Sequence, residues 1–236
     1  MLVLALDSSS PSLSCALCEL DGEVRALAER VIDPPARHGE VLPGALLELG
    51  RLDEVGGIAV GLGPGSFIGL CVGLASAKAL AYARKLPIAG ASSLRALALA
   101  GAKRFPCRAL VPTSEARRGE LYAEVLAADG RLLRSEAAYR APAFLSLLDE
   151  ISRLGPLAVF GPGARACRAE LPGVAVEDEP RLPPAWAVAQ LCADRLRGAG
   201  YDQGAVFALQ PNYVRPSEAE VALAEGRVGG LGLAKK

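Results

Sequence analysis

A single histidine stands among the 236 residues, beside one tryptophan and one methionine. That lone His38 excludes a metal site built from two or more histidines of this chain. Any nucleophile–histidine–acid constellation would have to use it, and nothing nominates a nucleophile beside it. His38 and Glu40 read as a helix-start or surface pair rather than an acid/base couple. Net charge is missing as well: 26 basic residues meet 26 acidic ones. This argues against a broad electrostatic footprint on nucleic acid by this chain alone. Although 51% of the residues are hydrophobic, no uninterrupted apolar run reads as membrane-spanning, because Lys78 interrupts the most apolar stretch. The opening Met1-Leu-Val-Leu-Ala-Leu-Asp7 has no basic region, so no secretory leader is expected and a soluble cytoplasmic protein is. Six cysteines are present, and Cys15 and Cys18 have CxxC spacing. Ser12 to Leu20 nonetheless reads as a strand, where residues three apart point to opposite faces. With no second CxxC and no histidine cluster, the cysteines read as ordinary buried thiols.

What is present in quantity is glycine, 26 residues of it, concentrated in one stretch. Ile58 to Val60 reads as a buried strand, Gly61 to Gly65 as a tight loop, and Ser66 as the N-cap of a long helix. A glycine loop opening a helix leaves N–H groups at the positive dipole end, which suits an anion. Gly63, Gly65 and Ser66, with Asp7 and Ser8 of the first turn, are therefore candidate nucleotide or anion contacts. The bland reading stands beside it: Gly-Pro-Gly is a sharp turn and serines cap turns. Along the helix, Gly69, Gly73 and Ala77 fall four apart on one face. Each interior glycine costs about 1 kcal/mol relative to alanine, so another backbone is expected to lie close on this stripe.

The chain also repeats itself. Ala109 to Glu115 resembles Leu2 to Asp7 displaced by 108 positions, with Glu115 where Asp7 stood, and Asp129-Gly130 falls on Asp21-Gly22. The Asp-Gly pairs are hairpin turns. Leu157 to Gly163 echoes Ile58 to Gly65: strand, Gly-Pro-Gly, helix. Each half reads as a three-stranded meander, a helix, a strand–loop–helix, a short strand and a closing helix. The expected fold is α/β: two duplicated ribonuclease-H-like halves of the actin and sugar-kinase superfamily, each a mixed sheet with flanking helices. The halves are expected at 1–103 and 104–236, the first supplying dimerisation. Arg117, Arg118 and Glu120 read as a solvated hairpin.

Six motifs carry a resemblance over nearly the whole chain. They are Leu2 to Ser10, Arg37-His-Gly-Glu-Val-Leu-Pro43, Gly63-Pro-Gly-Ser-Phe-Ile-Gly-Leu-Cys-Val-Gly73, Ser92-Ser-Leu-Arg-Ala-Leu97, Glu115-Ala-Arg-Arg-Gly-Glu-Leu-Tyr122 and Pro211-Asn-Tyr-Val-Arg215. In this order the sequence resembles the TsaB (YeaZ) family. The resemblance implies a non-catalytic scaffold and activator in installing threonylcarbamoyl on adenosine 37 of tRNA, as a relative and dimer partner of the transferase TsaD. The ATPase TsaE would join the pair, tRNA would bind only through the complex, and the chain alone would form a homodimer without contact to a membrane. Where TsaD carries a His-x-x-x-His metal pair, this chain reads Ser93-Leu-Arg-Ala-Leu97, so no metal site and no catalytic residue is implied. No cofactor is expected to be firmly bound, with ATP or ADP expected, if anywhere, at the partner interface. The implied partner surface comprises Gly69, Leu70, Gly73, Leu74 and Ala77, with Glu40 and Leu47 of the preceding helix. Ile68 and Cys71 depart from the family's usual Thr and Arg. The competing reading is a nucleotide-binding phosphotransferase, or a glycoprotease-like peptidase, acting in the cleft between the halves.

Overall fold

The computed structural model describes residues 1–33, 37–106, 108–116 and 119–214. Arg117, Arg118, Cys107, Arg215 and the tail to Lys236 lie outside the described residues.

The first meander is β1 (Leu2–Asp7), β2 (Leu13–Asp21) and β3 (Glu23–Ile32). It turns at Gly22, whose φ of 70° is the left-handed value that an Asp-Gly hairpin needs. After α1 (His38–Glu48) come β4 (Val55–Gly61), α2 (Phe67–Arg84), β5 (Ile88–Ala91) and α3 (Ser93–Arg104). The second half runs β6 (Ala109–Glu115), β7 (Glu120–Leu126), β8 (Leu132–Arg140), α4 (Ala141–Ser152), β9 (Leu157–Phe160), α5 (Pro162–Ala166) and β10 (Val176–Glu177). Helices α6 (Ala185–Leu196) and α7 (Gln203–Ala208) follow.

Two five-stranded sheets result, ordered β3-β2-β1-β4-β5 and β8-β7-β6-β9-β10. In each, the meander is antiparallel and the two added strands are parallel to its first strand. This is the duplicated ribonuclease-H-like arrangement that the repeat predicts. The halves differ after their Gly-Pro-Gly turns. The first launches a helix of 18 residues and the second one of 5, which gives way at Cys167 to a short 3-10 turn.

Apolar alternation along the strands puts a core on each side of each sheet. On the first, Cys15, Leu17, Val60 and Leu6 face α1 and α2. Val3, Ala5, Cys18 and Ala59 face α6 on the other side. Cys15 and Cys18 thus lie in different cores, as two residues three apart on a strand must, and both are free thiols. On the second sheet, Val111, Leu121 and Val159 face α4 and α5, while Leu110, Ala158 and Phe160 face Leu97 and Ala98 of α3. The packing therefore crosses the boundary near residue 103. Helix α3, from the first half, lies on the second sheet, and α6, from the second half, lies on the first.

Helix α2 corrects one expectation. Its 18 residues average a hydropathy of 1.3 and suffice by length and composition to cross a membrane, Lys78 notwithstanding. Its buried residues, among them Leu70, Leu74, Ala77 and Ala81, pack into the first core instead.

Candidate functional site

The turn after β1 and the loop after β4 meet as the anion hypothesis requires, but they close on each other. Asp7 is buried, as are Ser8, Ser9 and Ser10. Its Oδ1 accepts from the Ser9 N–H at 2.9 Å and the Ser9 Oγ at 2.6 Å, and its Oδ2 accepts from Ser93 Oγ at 2.5 Å. Ser93 Oγ in turn accepts from the Gly63 N–H at 3.0 Å. The Ser66 N–H donates to the Ser9 carbonyl at 2.6 Å. Ser66 Oγ caps α2 as expected, accepting from the Gly69 N–H at 3.3 Å. A Cβ on Gly65 would fall on the Ser9 carbonyl. The proposed phosphate contacts Asp7, Ser8, Gly63, Gly65 and Ser66 are thus brought together, but the N–H groups of Gly63 and Ser66 are already spent on serine oxygens of the chain itself. This corrects the anion reading of the loop: the chain's own carboxylate and serines fill the place. Burial pushes the Asp7 carboxyl above its ordinary value, opposed by the hydrogen bonds from Ser9 and Ser93.

The small-residue stripe is corrected by the same packing. A Cβ on Gly69 would strike the Ser8 carbonyl oxygen, and one on Gly73 would strike Ser8 Oγ. Ser8 Oγ donates to the Gly69 carbonyl at 2.8 Å. The close neighbour that the two glycines demand is therefore the β1–β2 turn of the same chain. Gly69, Leu70, Gly73, Leu74 and Ala77 are all buried there and present nothing to a partner. Glu40 and Leu47 remain outside, Glu40 in an ion pair with Arg37 at 3.2 Å and Leu47 at 72% exposure.

The opposite face of α2 is the one left open. Ile68 (66% exposed), Cys71, Ala75, Ala79 and Tyr82 follow one another three or four residues apart along it. Residues beyond α6 widen this face. Phe67 stacks on Tyr213, with ring centroids 6.1 Å apart, and Tyr82 meets Phe207 at 5.8 Å. Lys78 Nζ donates to the Phe207 carbonyl at 3.3 Å. These exposed positions were not among the predicted partner residues. The signal for them was the helical spacing of apolar residues from Ile68 to Tyr82, which the glycines on the other face drew attention away from.

A second polar cluster joins the halves. Arg95 Nε of α3 lies 2.6 Å from Glu124 of β7. Glu136 of β8 accepts from Ser92 Oγ, the N-cap of α3, and from Asn212 Nδ2. The Asn212 N–H donates to the Leu62 carbonyl at 2.7 Å. Burial raises the Glu124 carboxyl to about 6, against the lowering effect of Arg95, and raises Glu136 in the same direction. Among the described residues, no group of three metal-ligating side chains gathers anywhere.

Comparison with known proteins gives this geometry its relatives. Residues 45–154 match the family described as TsaD: tRNA N6-adenosine threonylcarbamoyltransferase. The tRNA threonylcarbamoyladenosine biosynthesis protein TsaB of Escherichia coli is 32% identical over 126 residues, 52% of this chain and 53% of that protein. The TsaB of Bacillus subtilis is 33% identical over 127 residues, with 52% and 53% covered. The chain thus spans about half the length of these curated relatives. Solved structures match over more of it. A Pseudomonas aeruginosa protein described as uncharacterized, with similarity to peptidase YEAZ, superposes with a TM-score of 0.70 at 26% identity, covering 91% of this chain and 99% of that one. YeaZ from Pseudomonas aeruginosa gives 0.66 at 25% identity, covering 90% and 99%. With TsaB proteins sharing a third of its residues across the matched half and the YeaZ fold reproduced over nine-tenths of its length, the chain is similar to the TsaB (YeaZ) proteins in both sequence and fold.

Proposed function

We propose that this chain is the non-catalytic scaffold and activator subunit of the machinery that installs threonylcarbamoyl on adenosine 37 of tRNA, docking on a TsaD-type transferase. The observation that carries the reading is the outer face of α2. An apolar face running the length of an 18-residue helix, widened by Phe207 and Tyr213, marks a docking surface on a water-soluble protein. The names of the curated relatives supply the process, and the TsaD family match over residues 45–154 supports a partner built on the same fold. Left alone, the same face serves a homodimer, because an isologous contact covers it with a second copy of itself. TsaE would join the assembled pair, and tRNA would bind only through it.

Two observations support the scaffold over the enzyme reading. Asp7 is sealed behind Ser9 and Ser93, and residues 93–97 read Ser-Leu-Arg-Ala-Leu where the transferase family carries its metal pair. In this proposal any ATP or ADP in the complex sits at the partner interface rather than at this chain's glycine loop.

Size-exclusion chromatography of the chain with the TsaD of its own organism tests the proposal. Ile68→Glu and Tyr82→Glu should each abolish co-elution while leaving the melting temperature of the free chain unchanged. Persistence of the complex in both variants would sink it. Calorimetry of the isolated chain with magnesium and ATP should give no binding heat, and Asp7-dependent heat would restore the phosphotransferase.

A further inference from the structure

The polar cluster between the halves borders a cavity of about 540 Å³. That volume falls within the roughly 300–1,000 Å³ of pockets that hold small organic ligands. One wall is the start of α3, with Ser92 and Arg95. The facing wall is the second meander, with Glu124, Leu132 and Glu136, and residues 212–214 close the side with Asn212 and Val214.

The charges in these walls do not cancel. Glu124, only 2% exposed, forms an ion pair with Arg95, and that pair is neutral as a unit. That pair is made by its Oε2, 2.6 Å from Arg95 Nε and buried, so Glu124 is taken up by Arg95 and Glu136 is the carboxylate left to the cavity. Glu136 is held by a serine hydroxyl and a side-chain amide, both uncharged donors. Neutral donors orient a carboxylate without compensating its charge, and a half-buried charge left uncompensated is costly. The cavity therefore carries one excess negative charge from two carboxylates and one guanidinium. An anion is disfavoured by that sign. A metal ion lacks its ligand set among the described residues. Leu132 and Val214 add apolar wall beside the carboxylates, which suits methylene groups.

We propose that this cavity is a binding site for a small organic cation, an alkylamine or alkylguanidine. Its head sits against Glu136, and its methylenes run along Leu132 and Val214. The upward displacement of both carboxyls by burial agrees with a site that lacks a cation. The residues involved are not those of the outer α2 face, so the site stands or falls separately from the docking reading.

The test is calorimetry and amide NMR shifts on the full chain at neutral pH, with agmatine and putrescine as probes and 1-pentanol as an uncharged control. Agmatine or putrescine should bind with a saturable isotherm, and pentanol should not. Glu136→Gln should weaken binding about tenfold or more, as loss of one charge-assisted contact worth about 1.4 kcal/mol or above would do. Glu124→Gln provides a second variant should the first fail to fold, with the same weakening expected. No saturable binding up to about 10 mM, a range that covers even weak affinities, would overturn the proposal. So would undiminished binding in the glutamine variants.

Discussion

At Asp7 a carboxylate is taken out of water and given three donors from Ser9 and Ser93. The residue types are those of a phosphate-binding turn, yet each serine oxygen is turned inward. Glu124 is the more informative acid, because its displacement is large and its surroundings are simple: Arg95 from α3 and Glu136 from β8. Its carboxyl is raised from an ordinary 4.5 to about 6, so the folded chain binds that proton more tightly than the unfolded chain does. The stabilisation is fully present below pH 4.5 and is lost as pH rises through about 6. Melting temperatures of the wild type and Glu124→Gln measured at intervals across this window should diverge, the wild type losing stability with rising pH and the variant showing a flatter profile. Parallel profiles would show that Glu124 does not titrate there. Little of this was legible beforehand. Ser92, Arg95 and Asn212 stood inside recognisable motifs, but Glu124 and Glu136 are unremarkable acids on strands whose alternation alone does not say which face another half will cover.

Helix α2 shows a different kind of legibility. Two glycines four apart correctly demanded a close backbone, and Ser66 correctly capped the helix. Sequence spacing does not carry the identity of the neighbour, which is fixed only when the β1–β2 turn folds back and Ser8 meets Gly69 and Gly73. A glycine-to-alanine change inside an exposed helix stabilises it by about 1 kcal/mol. At Gly69 the sign should reverse, because the added methyl strikes a backbone carbonyl that cannot swing aside. Gly69→Ala should lower stability by about 1–3 kcal/mol in urea denaturation, the usual range for overpacking, and a stabilised variant would contradict the packing. For the same reason a bulky residue at Gly73 would disturb the fold of this chain before it disturbed any partner, so docking is better tested from Ile68 and Tyr82.

On the scale of the whole molecule, the repeat at 108 positions predicted two sheets of one topology, and they are there. It did not predict that each sheet would be covered by the other half's closing helix, because a helix amphipathic enough to pack on one sheet is amphipathic enough for its twin. Removing residues 104–236 would strip α6 from Val3, Ala5, Ala16, Cys18 and Ala59 and leave α3 without the second sheet. A fragment of residues 1–103 should therefore show no cooperative thermal transition by circular dichroism, whereas mixing it with 104–236 should restore one. A sharp transition in the isolated fragment would refute this.

The exchange of α3 and α6 also bears on how such a chain arises. Two identical single-sheet chains that traded closing helices would form a two-fold symmetric, domain-swapped dimer. Joining the end of one copy to the start of the other would yield the present order of elements. On that view the segment near residue 103 is a fused subunit junction. The two halves were then free to diverge because each no longer had to match its own copy, one growing an 18-residue helix after its Gly-Pro-Gly turn and the other keeping 5 residues.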